Sequence, residues 1–263
     1  FAGVLSGFTL TNGFALNSGG GVSMEGGSAC VSNCVISASA SGFRGGGGAY
    51  GTFLDTRISG NTGWQGGGAA YATLHACTLD GNTAEYCGGV FESTVIGCVL
   101  TSNTGCAAAD STVVSCLING NTGGGARNCT LYTSVIASNS ASWGAGIFQC
   151  TAENCAIIGN AAHETGGGAA FGRLWNCLVI HNTAATAGGV YESGLENCTI
   201  AHNHATLRSG GIELAVNWNI ARNCIIYFNQ CSDTPATSNC FVEYGTIIHS
   251  CTAPQQPGSF SIT

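Results

Sequence analysis

Lysine is missing altogether from this 263-residue chain, and charged residues of every kind make up only 7% of it. The six basic residues are all arginine and stand against thirteen acidic ones, for a formal net charge of −7. A chain so poor in positive charge cannot neutralise a run of phosphates, which excludes a nucleic-acid-binding role. Low charge together with 44% hydrophobic residues also excludes intrinsic disorder.

Proline is equally scarce, with three residues against 42 glycines. Collagen is excluded because the glycines follow no period of three. No apolar run approaches the roughly 18–20 residues of a membrane-spanning helix, so we expect no membrane insertion. The sequence opens at Phe1 with neither an initiator Met nor a signal peptide, and we expect a mature product or an excerpt of a longer precursor.

Cysteine, by contrast, is abundant, with sixteen residues. The closest spacing is Cys30 to Cys34, so the tight CxxC pairs of a zinc knuckle do not recur. Disulfides persist in oxidising compartments. We therefore expect a secreted or cell-surface protein that carries disulfides.

A short phrase recurs along the chain: an apolar residue, two small or polar residues, and then Asn. From Asn61 onwards, the steps between successive asparagines are 21, 21, 18, 18, 21, 22, 21 and 26. These asparagines are Asn61, Asn82, Asn103, Asn121, Asn139, Asn160, Asn182, Asn203 and Asn229. Two residues before the apolar position stands a cysteine column, namely Cys34, Cys77, Cys98, Cys116, Cys155, Cys177, Cys198 and Cys224. Glycine clusters follow many of the asparagines, as at 66–68 and 188–189.

A period near 21, with short β-branched runs between Gly and Asn, predicts an all-β parallel β-helix of about eleven coils. Each coil lays its strands about 4.8 Å from those of the coil before. The predicted inward ladder is Ile58, Leu79, Leu100, Ile118, Ile136, Ile157, Val179, Ile200 and Ile226. We expect Asn at the corners because it tolerates the left-handed conformation, with its amides hydrogen-bonded along the ladder. We place the β-helix at 1–230 and a cap, linker or inter-subunit contact at 231–263.

The alternation of GGA- or GGV-type clusters with apolar-x-x-Asn phrases resembles the repeats of chlamydial polymorphic outer membrane proteins. It is also similar to related bacterial β-helix surface proteins of the pectin-lyase-like superfamily. The resemblance covers about residues 3–229, and it implies a right-handed parallel β-helix fold and a secreted location. This chain departs from those adhesins in having Ile, Leu or Val where they usually have Phe.

Members of this superfamily are often polysaccharide lyases or hydrolases, whose sites need clustered carboxylates and a base. The four aspartates, Asp55, Asp80, Asp110 and Asp233, share no column on adjacent coils, and the arginines are scattered. Glu92 and Glu192 occupy the same position after Gly-Gly-Val-aromatic, but several coils apart. We therefore expect no catalytic residues and no enzyme.

Three further patterns are interpreted structurally. His181 and His202 share a column, with His163 and His204 nearby, but no carboxylate or Cys completes a ligand set, so we expect corner residues and neither a metal nor a cofactor. A single interrupted threonine column after Asn is better explained by turn chemistry than by ice binding. Asn128 and Asn197 match the glycosylation acceptor pattern, which in a bacterial product means nothing by itself.

The remaining cysteines are candidates for disulfides, although the connectivity cannot be derived from sequence. Cys129 and Cys150 are the preferred pair because they occupy equivalent positions of neighbouring coils. Cys87 and Cys106 fall in consecutive corners after Asn, and Cys231, Cys240 and Cys251 are placed to tether the last segment.

A solenoid has two open edges, and the first repeat begins almost at residue 1 without a preceding helix. We therefore expect self-association by end-to-end stacking and a structural or adhesive role, as a surface-fibre subunit or an adhesin stalk. A glycan or host-surface ligand is the other kind of partner that such a role implies. The alternative is a carbohydrate-active or glycan-binding module with its site on one solenoid face, and an ice- or mineral-binding surface is a third, minor hypothesis.

Overall fold

The computed structural model describes residues 3–26 and 28–252, and the last part of the predicted C-terminal segment lies outside this range. The contacts divide the chain into two compact units, Phe1–Thr130 (unit 1) and Leu131–Thr263 (unit 2). The strands within each unit pair in parallel with their equivalents one coil away. The fold is thus the predicted all-β parallel solenoid.

One coil of unit 1 shows how the sequence builds the fold. Thr73–His75 lies on face A, Thr78–Asp80 on face B and Thr83–Phe91 on face C. Strands of three residues turn only their central side chain inward, since side chains alternate along a strand. The corners between faces fall at Ala76 and Gly81, which have φ of 52° and 62°. Each repeat therefore needs one left-handed residue after each short apolar strand.

Unit 1 has three faces. Face A consists of Val4–Ser6, Cys30–Ser32, Thr52–Leu54, Thr73–His75, Thr94–Ile96 and Thr112–Val114. Face B consists of Thr9–Thr11, Val35–Ser37, Arg57–Ser59, Thr78–Asp80, Val99–Thr101 and Leu117–Asn119. Face C contains Phe14–Ala15, Val22–Ser23, Ala40–Ser41, Gly48–Ala49, Thr62–Gln65, Ala69–Ala70, Thr83–Phe91, Thr104–Ala109 and Ala126–Arg127.

Unit 2 repeats this plan, and the strand Thr130–Tyr132 spans the division between the units. Its face A consists of Thr151–Glu153, Arg173–Trp175, Gly194–Glu196, Ile220–Arg222 and Thr246–Ile248. Face B consists of Val135–Ala137, Ala156–Ile158, Leu178–Ile180, Thr199–Ala201, Ile225–Tyr227 and Cys251–Thr252. Face C is split into Ser140–Trp143, Ala161–Thr165, Thr183–Thr186, His204–Arg208 and Gln230–Cys231, and into Ile147–Phe148, Ala169–Ala170, Val190–Tyr191, Ile212–Leu214 and Cys240–Val242.

Helix is almost absent from the described residues, where a single 3₁₀ turn occupies Pro235–Thr237. None of the described helical segments has the length and hydropathy needed to cross a bilayer. Strands also continue past residue 230, where the sequence analysis ended the β-helix. Cys240–Val242 pairs with Ile212–Leu214, and Thr246–Ile248 pairs with Ile220–Arg222.

Faces A and B each hold twelve strands across the described residues, and about nine of the turns keep the period of about 21 residues, so the count differs slightly from the eleven coils predicted. Some coils are longer than this regular repeat. Leu74 pairs with Val95 at the regular spacing, whereas Leu5 pairs with Val31 and Leu195 pairs with Ala221, both at a wider spacing. The length of the chain divided by the period therefore overstates the number of regular turns.

The core of each unit is the predicted column of branched apolar side chains on face B. All nine of the predicted residues are fully buried, at 0% exposure. The glycine clusters border this core because adjacent coils approach there too closely for a side chain. A Cβ on Gly67 would lie 2.3 Å from the carbonyl oxygen of Thr83. Glycine is required at such a position by the neighbouring coil.

The corner asparagines are buried and hydrogen-bonded along the stack, but they are not themselves left-handed. In unit 1, Asn61 Nδ2 donates to Asn82 Oδ1 (3.0 Å) and to the Ile36 carbonyl (3.0 Å). The left-handed residue is the one before each Asn, such as Gly60 or Ser102. The expectation that Asn adopts this conformation was therefore wrong for the ladder that begins at Asn61. Its amide is placed inside the corner, where it pairs backbone groups that the turn leaves open.

Candidate binding groove

A loop distinguishes one coil of unit 2 from its neighbours. Residues 215–219 follow the strand Ile212–Leu214 and precede Ile220–Arg222. They belong to the long coil that separates Leu195 from its partner Ala221. The loop presents the Trp218 indole to solvent, with 79% of the residue exposed. An extra segment is accommodated here because it projects from the solenoid without interrupting the pairing of the strands.

The loop is fixed to the solenoid by a buried carboxylate. Glu192 Oε1 accepts a hydrogen bond from the Ala215 backbone N–H (2.7 Å), and its Oε2 accepts one from Asn219 Nδ2 (2.6 Å). Glu192 is 7% exposed and left-handed, with φ of 44°, so its side chain leaves the solenoid at a corner. Because both oxygens are engaged, Glu192 holds the two ends of the loop in place.

Two adjoining clefts lie beneath the loop, with volumes of about 240 and 560 Å³. Both are bordered by Arg173, Gly194 and Trp218, which makes them one continuous groove. The smaller cleft is completed by Leu174, Trp175, Leu195, Glu196, Ile220 and Arg222. The larger is completed by Gln149, Cys150, Thr151, Phe171, Gly172, Glu192 and Asn219. We call this feature the Trp218 groove.

The polar side chains of the Trp218 groove differ in whether they have a hydrogen-bond or ion-pair partner within the protein. Trp175 Nε1 donates to Glu196 Oε2 (3.0 Å), which orients that carboxylate along face A. Within the described residues, the guanidinium groups of Arg173 and Arg222 form no ion pair and no side-chain hydrogen bond. The groove therefore offers exposed guanidinium donors that no described protein group engages, beside two indole rings. With two arginines and two glutamates in its lining, its formal charges balance.

A second buried carboxylate lies on the neighbouring coil. Glu213 is fully buried, and Arg208 Nε donates to its Oε2 (3.1 Å) while a second nitrogen of the same guanidinium donates to Oε1. The guanidinium carbon of Arg208 lies 4.4 Å from the centre of the Phe241 ring. Burial raises the pKa of Glu213, and the Arg208 guanidinium opposes that shift. This pair belongs to the packing of face C and does not line the groove.

Aromatic side chains form ladders at the corners of both units. In unit 2, Phe171 packs edge-on between Phe148 (5.7 Å) and Tyr191 (5.3 Å) and leads into the groove. In unit 1, the rings of the left-handed corner residues Tyr50 and Tyr71 stack at 5.6 Å. These contacts stiffen the corners, since such aromatic pairs add to the stabilisation that burial provides.

The cysteine column places thiols inside a corner of each coil, just as the asparagine column places amides inside another corner. Cys77 Sγ lies 3.3 Å from the carbonyl oxygen of His75 and forms no disulfide, and Cys198 Sγ makes the same contact with Glu196 (3.2 Å). Thr56 Oγ1 donates to the carbonyl of Leu54 at 2.8 Å at the equivalent position. A thiol and a hydroxyl thus serve one purpose, which is to pair the carbonyl two residues back.

No disulfide is formed among the described cysteines, which include all sixteen. The predicted Cys129–Cys150 bond, the Cys87–Cys106 bond and the tethers from Cys231, Cys240 and Cys251 are therefore not shown. Cys87 and Cys106 do occupy paired positions of adjacent strands. Cys87 Sγ instead lies 2.8 Å from the Cys106 carbonyl oxygen. The sulfur is directed at the backbone of the neighbouring coil, and this contact replaces the expected bond.

The histidine column is an aromatic stack. The rings of His181 and His202 are 5.4 Å apart, and His202 stacks on Phe228 at the same distance. All three are left-handed corner residues in unit 2, in the position that Gly or Ser takes elsewhere. Among the described residues, no group of three or more His, Cys, Asp or Glu is arranged to hold a metal ion.

Sequence reasoning missed every residue that defines the groove. Arg173 and Trp175 occupy outward positions of face A that the repeat analysis did not include, Trp218 lies in the loop, and Glu192 was noted only as the counterpart of Glu92. One signal was available, because the step from Asn203 to Asn229 exceeds the usual period. Extra residues in a single repeat commonly form a loop on a binding face.

Comparison with known proteins gives no family and only distant structural similarity. No family model matches the chain, and no curated protein matches it. Among solved structures, one similar chain is HetL, a pentapeptide repeat protein involved in heterocyst differentiation regulation, from the cyanobacterium Nostoc sp.. It is 10% identical over 92% of this chain and 89% of HetL, with a TM-score of 0.22. The resemblance to polymorphic outer membrane proteins and to the pectin-lyase-like superfamily is not confirmed.

Proposed function

We propose that this chain is a non-catalytic adhesive β-solenoid of an extracellular protein, and that it binds a saccharide in the Trp218 groove. The observation that carries the proposal is the exposed Trp218 indole held above Arg173 and Gly194 by a buried carboxylate. A loop fixed at both ends presents an aromatic ring at little entropic cost, which favours binding.

The chemistry of the groove favours a saccharide over other ligands. Exposed indoles offer an apolar face for a sugar ring, and their edges still tolerate water. The Arg173 and Arg222 guanidiniums supply fixed forks of donors for paired hydroxyl groups. The balance of two arginines and two glutamates favours an uncharged ligand rich in hydroxyls, since a strongly charged one would meet a like charge.

A binding role is better supported than hydrolysis because both carboxylates of the groove are already engaged. Glu192 accepts from Ala215 and Asn219, and Glu196 accepts from the Trp175 indole. A glycosidase needs one carboxyl as a proton donor and another as a base or nucleophile beside the scissile bond. Neither glutamate is arranged for that task. The extracellular location is proposed from the number of cysteines alone, because the described cysteines form no disulfide.

Binding is tested with the whole chain and cellotetraose, xylotetraose, mannotetraose and maltotetraose, followed by tryptophan fluorescence. We expect one of these probes to bind and Trp218→Ala to weaken its affinity about tenfold or more, as for a central aromatic contact. Trp64→Ala is the matched control, because Trp64 is also exposed but lies in unit 1. The absence of new reducing ends would agree with a binding module. Failure of every probe to bind the unaltered chain would overturn the proposal.

End-to-end self-association is a second candidate, favoured by the first coil. Val4, Phe8, Phe14 and Leu16 are 56–77% exposed, and the apolar cleft at Val4 and Met24 adjoins them. Another copy of the chain stacked on this coil would bury them and pair the outer edge of Val4–Ser6, which no described residue pairs. Negative-stain electron microscopy of the purified chain tests this: filaments support stacking, and isolated short rods contradict it.

A further inference from the structure

Gly194 interrupts a column of side chains on face A of unit 2. It begins its strand, and the other strands of that face begin with Thr151, Arg173, Ile220 and Thr246. In unit 1 the same position holds threonine four times, in Thr52, Thr73, Thr94 and Thr112. Gly194 is therefore the sole glycine at the first position of the described face A strands.

The fold does not require glycine at this position. Its φ is not among the positive values, so an L side chain would adopt the same backbone. A Cβ on Gly194 would meet only the Cγ of Arg173, at an ordinary contact distance of 3.8 Å. At Gly189, in contrast, a Cβ would lie 2.5 Å from the Gly211 carbonyl oxygen of the next coil. Gly189 is a structural glycine, whereas Gly194 leaves open space.

This space lies where the two clefts of the Trp218 groove meet. Gly194 borders both clefts, and Arg173 is its direct partner on the preceding coil. Leu195 pairs with Ala221, which places Ile220 on the other side of the gap. Trp218 projects from the loop and borders the same space. The gap therefore has an apolar wall, an aromatic ring and an unpaired guanidinium.

We propose that the gap at Gly194 seats one ring of the bound saccharide and that Gly194 is a specificity-determining residue. This inference rests on the proposed function. A sugar ring placed there contacts Ile220 and Trp218 with its apolar edge, while its hydroxyls face Arg173. Neighbouring rings of the ligand extend into the two clefts. A threonine side chain, the usual one of the column, would fill the seat.

The test compares Gly194→Thr, Gly194→Ala and the unaltered chain with the same oligosaccharide panel and tryptophan fluorescence. We expect Gly194→Thr to weaken binding about tenfold or more, as for loss of a central contact, and Gly194→Ala to have a smaller effect. Circular dichroism and thermal unfolding should match the unaltered chain, because the backbone at 194 accepts a side chain. Thr73→Gly, which opens a similar gap in unit 1, is the control and should leave binding unchanged.

The experiment distinguishes the role of Gly194 from saccharide binding by the chain as a whole. If the unaltered chain binds a probe and the folded Gly194→Thr variant binds it equally well, the inference is wrong and the proposed function stands. If the unaltered chain binds no probe, the proposed function fails and the inference fails with it. Loss of binding in Gly194→Thr with retention in Thr73→Gly supports both.

Discussion

Two corners of this protein have nearly the same sequence and opposite surroundings. Gly-Gly-Val-Phe-Glu-Ser in unit 1 and Gly-Gly-Val-Tyr-Glu-Ser in unit 2 place Glu92 and Glu192 at φ of 43° and 44°. Glu92 is exposed and accepts a hydrogen bond from the Tyr71 hydroxyl, at 3.3 Å. Glu192 is buried and holds both ends of the Trp218 loop. Identical local conformation therefore gives either a surface side chain or an anchor, depending on the next coil.

The largest expected effect is the loss of unfolding free energy when an asparagine of the ladder is replaced. Comparing this loss in the two units tests whether their regular repeats are equivalent. Asn82 and Asn182 each use their amide for a carbonyl of the preceding coil and for the next Asn of the stack. Replacing either by Ala leaves several buried groups unpaired, and we expect a loss of about 3 kcal/mol in the free energy of unfolding for both. Urea denaturation measures this. A clearly smaller loss in one unit would show that the ladders are not equivalent.

A smaller and unequal effect is expected at the two glutamates. Glu192→Gln places an amide N–H₂ against donors from Ala215 and Asn219, so we expect a loss of about 2 kcal/mol in unfolding free energy. Glu92→Gln should change it by less than about 0.5 kcal/mol, as for an exposed residue. Equal effects in urea denaturation would contradict the contrast between the corners. In the Glu192→Gln variant, faster proteolysis within 215–219 would localise the change.

In the acidic range, the pH dependence of the unfolding free energy should come from unit 2. Burial raises the pKa of Glu213 despite the nearby Arg208, whereas the corresponding position of unit 1 is Ala109. A carboxyl whose pKa is higher in the folded than in the unfolded state favours folding most at pH below the unfolded value, about 4.3. This contribution is lost as the pH rises through the raised pKa. Glu213→Gln should flatten the unfolding free energy measured over this range, and an unchanged slope would exclude Glu213 as its source.

The mildest probe is alkylation of the native protein with iodoacetamide. Cys30 in unit 1 is partly exposed and Cys251 in unit 2 is exposed, while the other thiols are buried. Burial also raises the pKa of Cys240 to about 12, which keeps that thiol protonated and unreactive. We expect mass spectrometry to find Cys30 and Cys251 labelled in the native state. All sixteen cysteines should be labelled after unfolding without reductant. A lower number of labelled cysteines would show that some form disulfides, as the sequence predicts.

The fold could be predicted from the sequence because a solenoid repeats its local rules. The period, the inward column from Ile58 to Ile226 and the glycine clusters specify one strand after another, and all depend on neighbours at a fixed spacing. The backbone conformation at the asparagine corners was predicted less well. The left-handed residue is Gly81 rather than Asn82, a distinction that depends on which of two adjacent residues points inward.

The sequence by itself determined the parallel β-solenoid, its core and the positions of its buried asparagines and thiols. Only the tertiary structure decided which residues lie along the Trp218 groove, because Arg173, Gly194 and Trp218 are separated along the chain and meet through the stacking of coils. It also decided the contrast between Glu92 and Glu192. A repeat fixes the local backbone, but the partner of an outward side chain is supplied by the coil that follows.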